Sequence, residues 1–134
     1  MSDSVQNEII EMLAHLCLRK IQFSAQQSLY YGVTADGTTD ISGNEQFSVS
    51  LQYVDNELQV HSDFLGFYNA PDSTEETLTK FLKDVFLRQQ FDFKKLQGFC
   101  FDGACNMSGK VAGVQSRLKQ ELSGSIYVHC YNHL

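Results

Sequence analysis

Two apolar runs, each followed by an Asp-Gly pair, constrain the fold of this chain more than any other feature. The first covers residues 29–35 and leads into Asp36, and the second covers residues 96–101 and leads into Asp102. If the runs are neighbouring parallel strands, both carboxylates project from the same edge of the sheet. Because two close carboxylates repel each other, such a pair needs a cation or a proton between them. The pattern predicts a shared site for Mg²⁺ or Mn²⁺.

The alternative is that each Asp-Gly pair only forms the turn that follows a strand, because both residues are common in turns. For one such pair alone this interpretation is favoured. Two such pairs, at the ends of strands predicted to be adjacent, favour a metal site over two unrelated turns.

Hydrophobic periodicity predicts a helix, a three-stranded antiparallel meander, and then two further strands, each preceded by a helix. The predicted helices cover about residues 4–21, a stretch after Pro71 capped within residues 72–76, and 106–122; the predicted strands cover 28–35, 46–54, 57–68, 96–101 and 126–130. Right-handed crossovers then give a mixed α/β sheet of order 3-2-1-4-5, the ribonuclease-H-like arrangement. We expect an N-terminal helix over residues 1–25 and a core over residues 26–134.

Composition limits the class of protein. A chain of 134 residues that is 43% hydrophobic is large enough to bury the core of one domain. Its net charge of -6 argues against a free-standing nucleic-acid binder, because phosphate contacts need a basic stripe. It has no apolar run long enough for a membrane helix and no signal peptide, so we expect an intracellular, soluble protein with reduced cysteines. The abrupt end after an apolar run suggests a fragment of a longer protein.

Weaker candidates lie near the two aspartates. Asp40 could contact a metal through water, but an Asx-type turn is favoured. Asn106 could cap the following helix or orient a metal-bound carboxylate. Cys130 and His133 form a Cys-x-x-His pair, which supplies at most half of a zinc site. Alternatively, His133 could stand beside the carboxylates and contact phosphate or a leaving oxygen.

The remaining histidines and several apolar residues have ordinary structural interpretations. His15 and His61 occupy amphipathic positions of a helix and a strand. We expect Cys17, Phe81 and Phe86 to belong to the core.

Taken in order, five segments make the chain resemble the transposase-derived domain of the hAT superfamily, in the branch found in zinc-finger MYM-type and related domesticated proteins. The segments are residues 6–10, 35–46, 64–68, 100–109 and 129–133, which include Asp-Gly-Thr-Thr-Asp, Phe-Asp-Gly-Ala-Cys-Asn and His-Cys-Tyr-Asn-His. At the position of Gly37 that family usually has a larger acidic or hydroxyl residue.

The resemblance implies a DDE transposase core that cuts and joins DNA with two Mg²⁺ ions. It assigns Asp36 and Asp102 as the first two metal-binding acids, and Cys130 with His133 as the family's Cys-x-x-His motif. The family's third acid, a glutamate, follows a long helical insertion beyond the end of this chain, so we expect the fragment alone to be inactive.

The resemblance further implies transposon-end DNA as partner, an upstream zinc-finger module, a possible homo-oligomer and a nuclear location, with no membrane. Two other functions stay open: a domesticated, non-catalytic scaffold that binds DNA or protein, and a different two-metal nuclease of the same fold. The Cys-x-x-His ending argues against the second of these.

Overall fold

The structure is a computed structural model that describes residues 1–72, 74–101 and 108–128. Within these residues it contains three α-helices, a short 3₁₀-helix and five strands. In chain order these are α1 (Asp3–Gln26), β1 (Tyr31–Thr39), β2 (Glu45–Val54), β3 (Val60–Ala70), α2 (Glu75–Arg88), the 3₁₀-helix (Phe93–Lys95), β4 (Leu96–Phe101), α3 (Ser108–Glu121) and β5 (Ile126–Tyr127).

The five strands form one mixed sheet in the order β3-β2-β1-β4-β5. The first three pair as an antiparallel meander, and β4 and β5 then add in parallel on the other side of β1. The predicted ribonuclease-H-like order is therefore confirmed. It places β1 and β4 side by side near the centre of the sheet.

One face of the sheet carries the hydrophobic core. Alternate residues of β1, namely Tyr31, Val33 and Ala35, are buried, and the antiparallel register continues this layer into β2. Helix α2 covers the layer with fully buried side chains at helical spacing, including Phe86 and Leu82, and α3 packs against α2. Phe81 is buried beside it, so the core positions predicted for both phenylalanines are confirmed.

Strand β1 runs further than the sequence predicts. Its pairing with β2 continues to Thr39, so Asp36 and Gly37 lie inside the strand, opposite Ser48 and Phe47. The predicted end of this strand at residue 35 is wrong, and the turn interpretation of this Asp-Gly pair is wrong with it. Continued pairing with β2 outweighs the local preference of Asp-Gly for a turn.

Helix α1 is capped by Ser2, whose hydroxyl accepts a hydrogen bond from the backbone N–H of Val5. It ends five residues later than predicted, at Gln26 rather than 21, because Leu18, Ile21 and Ala25 pack against the core. Cys17 is exposed, so the prediction that it belongs to the core is wrong. None of the helices in the described residues is long and apolar enough to span a membrane.

Candidate functional site

Asp36 lies on the open face of the sheet, opposite the buried layer. Tyr31, Val33 and Ala35 point into the core, so the alternate residues Thr34 and Asp36 point the other way. Asp36 is exposed, and its backbone carbonyl accepts a hydrogen bond from the Ser48 hydroxyl of β2, at 3.4 Å. The open face therefore presents a carboxylate beside a row of small hydroxyl side chains.

The parallel pairing of β1 with β4 ends just before Asp36. Its last pair is Ala35 with Phe101, one residue before each predicted acid. Asp36 is the next residue of β1, and Asp102 is the next residue of the chain after β4 but lies outside the described residues. The expectation that the two apolar runs form adjacent parallel strands is confirmed, whereas the separation of the two carboxylates stays a prediction.

No basic side chain comes from the strands around Asp36. All ten lysines and arginines of the chain lie outside the five strands of the described sheet. Any cation that offsets the charge of Asp36 and of a second carboxylate beside it must therefore come from outside the strands. Oxygen ligands with negative charge suit a hard divalent ion, and Asp36 is one such ligand, so the binding of Mg²⁺ or Mn²⁺ at this edge stays a prediction.

The described residues contribute only a part of such a site. Among them, no group of three or more histidine, cysteine, aspartate or glutamate side chains is placed to hold a metal ion. Of the three residues assigned to metal binding or catalysis, Asp36, Asp102 and His133, the structure describes Asp36. Asp102 and His133, and with them Asn106 and Cys130, lie outside the described residues.

Asp40 has the structural role that the sequence favours. In the turn between β1 and β2, its side-chain Oδ1 accepts a hydrogen bond from the Asn44 N–H at 2.8 Å, and its backbone N–H donates to the Asn44 carbonyl. The bond from the Asn44 N–H holds the pKa of Asp40 below its usual value, helped by Ser42. The preferred interpretation of Asp40 as an Asx-type turn residue is confirmed.

A second polar cluster lies at the opposite end of the sheet, and the sequence did not predict it. His61 Nε2 lies 2.8 Å from Asp55 Oδ2, and the His61 ring stacks on Tyr53 with centroids 4.9 Å apart. Tyr53 in turn donates a hydrogen bond to Asp63, at 2.8 Å. Only the β2–β3 hairpin register, which pairs Tyr53 with His61, brings these residues together, so a single-strand pattern could not reveal them.

The environment of this cluster shifts two pKa values. Burial, followed by the hydrogen bond to Asp63, raises the pKa of Tyr53 to about 12. The hydrogen bond with His61 and then the backbone N–H of Gln59 lower the pKa of Asp55. The other oxygen of Asp55 accepts bonds from the backbone N–H groups of Glu57 and Gln59, which close the hairpin. The cluster therefore stabilises the turn between β2 and β3. The strand register places it at the end of the sheet opposite to Asp36.

Comparison with known proteins decides the family. Residues 1–113 match the model of the family DUF4371, described as "ZMYM1/FAM200, RNase-like domain". The chain belongs to this family. The predicted membership of a transposase-derived family with a ribonuclease-like fold is thereby confirmed.

Two curated relatives carry the name "52 kDa repressor of the inhibitor of the protein kinase". The human protein is 23% identical to this chain over 130 residues, and the mouse protein is 22% identical over the same length. Each match covers 96% of this chain, but the chain spans only 17% of the length of either relative. Among solved structures, YeaZ from Pseudomonas aeruginosa aligns with a TM-score of 0.46 at 16% identity, over 75% of this chain and 43% of YeaZ. That likeness is too slight to support any inference about function.

Proposed function

We propose that this chain is the amino-terminal part of a transposase-like catalytic domain that cleaves DNA and transfers strands with divalent metal ions. One observation carries the proposal: the parallel register of β1 and β4 ends at Ala35 and Phe101, immediately before the two aspartates. In open α/β sheets, the carboxyl ends of central strands are where such sites form. Membership of a transposase-derived family supports the same chemistry.

In this proposal Asp36 and Asp102 hold Mg²⁺ or Mn²⁺. The ions supply activation of the water nucleophile and stabilisation of the leaving oxygen. Asp36 contributes an exposed carboxylate on a paired strand, which keeps its position fixed without closing access from solvent. His133 follows the fifth strand in the chain and is assigned to contact phosphate or the leaving oxygen. The third acid, a glutamate, would come from chain beyond residue 134.

Charge supports the dependence on metal. The chain has a net charge of -6, which argues against binding of DNA by phosphate neutralisation on its own. Metal ions at the aspartates and a basic module elsewhere in the parent protein would supply the missing positive charge. We place that parent protein in the nucleus, acting on transposon-end DNA.

Cleavage of labelled transposon-end DNA by the intact parent protein tests this proposal. We expect activity in Mg²⁺ or Mn²⁺ that falls by at least about a hundredfold in Asp36→Asn and in Asp102→Asn. Glu57→Gln is the matched control, since it also replaces one exposed carboxylate by an amide but lies at the β2–β3 turn. Full activity in both aspartate variants would refute the catalytic assignment.

The second candidate is a non-catalytic scaffold for DNA or protein, derived from the same ancestor. The specific observation in its favour is that the curated relatives are named as repressors. A scaffold would bind its partner equally well with Asp36→Asn and without divalent ions. Binding without any cleavage by the intact wild-type parent would favour the scaffold over the enzyme.

A further inference from the structure

The first four turns of α1 are exposed on every side. From Asp3 to Cys17 each residue is exposed, and only the last turns of the helix reach the core, through Leu18, Ile21 and Ala25. A helix of this length that packs on nothing is marginal in water. Large apolar side chains on such turns indicate that they bind a partner.

Five of the exposed apolar residues form a seam along one face of α1, while two others, Ile10 and Leu13, are exposed outside it. The seam consists of Val5, Ile9, Met12, Leu16 and Phe23. Successive seam residues are four, three, four and seven positions apart in the sequence. Their exposed fractions run from 42% to 73%. These steps repeat every seven residues, the spacing of the contact positions of a two-stranded coiled coil. At 100° per residue the seam lies opposite Leu18 and Ala25, so contact with the core leaves it accessible.

The charges of α1 indicate which partner fits this seam. Its first half carries the acidic residues Asp3, Glu8 and Glu11 and no basic one, while its second half carries Arg19 and Lys20 and no acidic one. Two copies side by side in the same direction would place like charges together. Two copies in opposite directions place each acidic half beside a basic half, and they also align the helix dipoles favourably.

The seam has a register that satisfies both patterns. When two copies run in opposite directions with Val5 of one opposite Phe23 of the other, Met12 falls opposite Leu16, and Ile9 falls opposite Arg19. In this register every seam residue of one copy contacts either an apolar seam residue or the aliphatic stem of Arg19 in the other copy. The charged end of Arg19 then lies beside the acidic half of the helix that it contacts.

We propose that α1 joins two copies of this chain as an antiparallel two-helix coiled coil through the seam Val5, Ile9, Met12, Leu16 and Phe23. The partner is a second copy because the helix is complementary in charge and in spacing to its own reversed sequence. The dimer would carry its two sheets at opposite ends of the paired helices. This inference does not depend on the proposed function.

Sedimentation equilibrium of the 134-residue chain tests the seam. We expect a reversible dimer whose dissociation constant rises by more than about tenfold in Ile9→Lys, because a buried apolar contact is replaced by a charge beside Arg19. Ile10→Lys is the matched control, since it makes the same change one residue along, off the seam, at a side chain that is also exposed. Circular dichroism and thermal melting of each variant check that the domain stays folded.

Disulfide trapping tests the direction. Chains with Val5→Cys and chains with Phe23→Cys are mixed, oxidised and digested, and the linked peptides are identified by mass spectrometry. We expect position 5 linked to position 23 in excess over links of either position to itself. A monomer at every concentration, a dimer equally sensitive to both lysine variants, or a prevailing link of position 5 to position 5 would overturn the proposal. If the chain stays monomeric in solution and binds only to added lipid vesicles, the seam contacts a membrane surface and the proposal is overturned.

Discussion

Gly37, the residue after Asp36, allows a sharp prediction about the packing beside the candidate site. A Cβ added at Gly37 would lie 2.8 Å from Cε1 of Phe47, its antiparallel partner, and 3.3 Å from two further ring atoms. Phe47 is buried and packs on Phe81 with ring centroids 5.4 Å apart, so its ring cannot easily move aside. A residue larger than glycine at position 37 would therefore press against this ring.

The expected effect of Gly37→Ala follows from two opposing contributions. Replacing glycine by alanine in a strand normally stabilises by about 0.5–1 kcal/mol. Overpacking a buried ring costs about 1–3 kcal/mol, which is larger, so we expect net destabilisation of about 1–2 kcal/mol. Gly32→Ala is the matched control on the same strand, because the nearest atom to its added Cβ, in Gln52, lies 3.5 Å away in ordinary contact. We expect that variant to be neutral or slightly stabilised.

Urea unfolding measures both variants, and the slope with denaturant should stay that of the wild type. A double-mutant cycle with Phe47→Leu isolates the cause. Combining Gly37→Ala with Phe47→Leu should recover about 1 kcal/mol relative to the sum of the single changes. The reasoning is refuted if Gly37→Ala is as stable as Gly32→Ala, or if the two changes add without any coupling.

Two further predictions concern the polar cluster at the far end of the sheet. Because burial and the hydrogen bond to Asp63 raise the pKa of Tyr53 to about 12, its contribution to stability is fully present below pH 10 and is lost as the pH rises through the folded pKa. Burial also raises the pKa of Tyr31 and of Tyr68, so Tyr53→Phe should reduce this loss, without abolishing it, in urea unfolding at a series of alkaline pH values; a loss as large as that of the wild type would contradict the assignment. Because the pKa of Asp55 is lowered chiefly by His61, its contribution is present above the unfolded pKa of about 3.9 and is lost as the pH falls through the lower folded value. NMR titration should show the Asp55 pKa rising towards the ordinary value in His61→Gln, and an unchanged pKa would show that His61 is not the cause.

The sequence predicts the sheet well because its signals are local and agree with one another. The bounds of β4 match the predicted run, and the cap of α2 lies within the predicted stretch, at Thr74, whose hydroxyl accepts a bond from the Thr77 N–H. Once these elements are known, the handedness of crossovers determines the strand order. The residues typical of turns were a less reliable guide to the ends of strands. Asp36 and Gly37 predict a turn, but β1 stays paired with β2 as far as Thr39, and the turn follows at Asp40.

What the sequence could not predict depends on contacts between distant residues. The apolar pattern of α1 predicts a helix with an apolar face, but it cannot tell that the seam is exposed while Ala25 is buried. Likewise, Tyr53 and His61 stack only because of the hairpin register. At the candidate site the sequence correctly paired the strands before Asp36 and Asp102. Whether two carboxylates meet there is a matter of side-chain positions, which a pattern does not contain.

Binding of Mn²⁺ to the 134-residue chain, followed by the electron paramagnetic resonance signal of the free ion, tests the central claim of a shared metal site most directly. The account predicts that Asp36→Asn and Asp102→Asn each weaken binding by at least about tenfold, that the double variant is no weaker than either single one, and that Glu57→Gln binds like the wild type. Equal binding by the wild type and all the variants would contradict it.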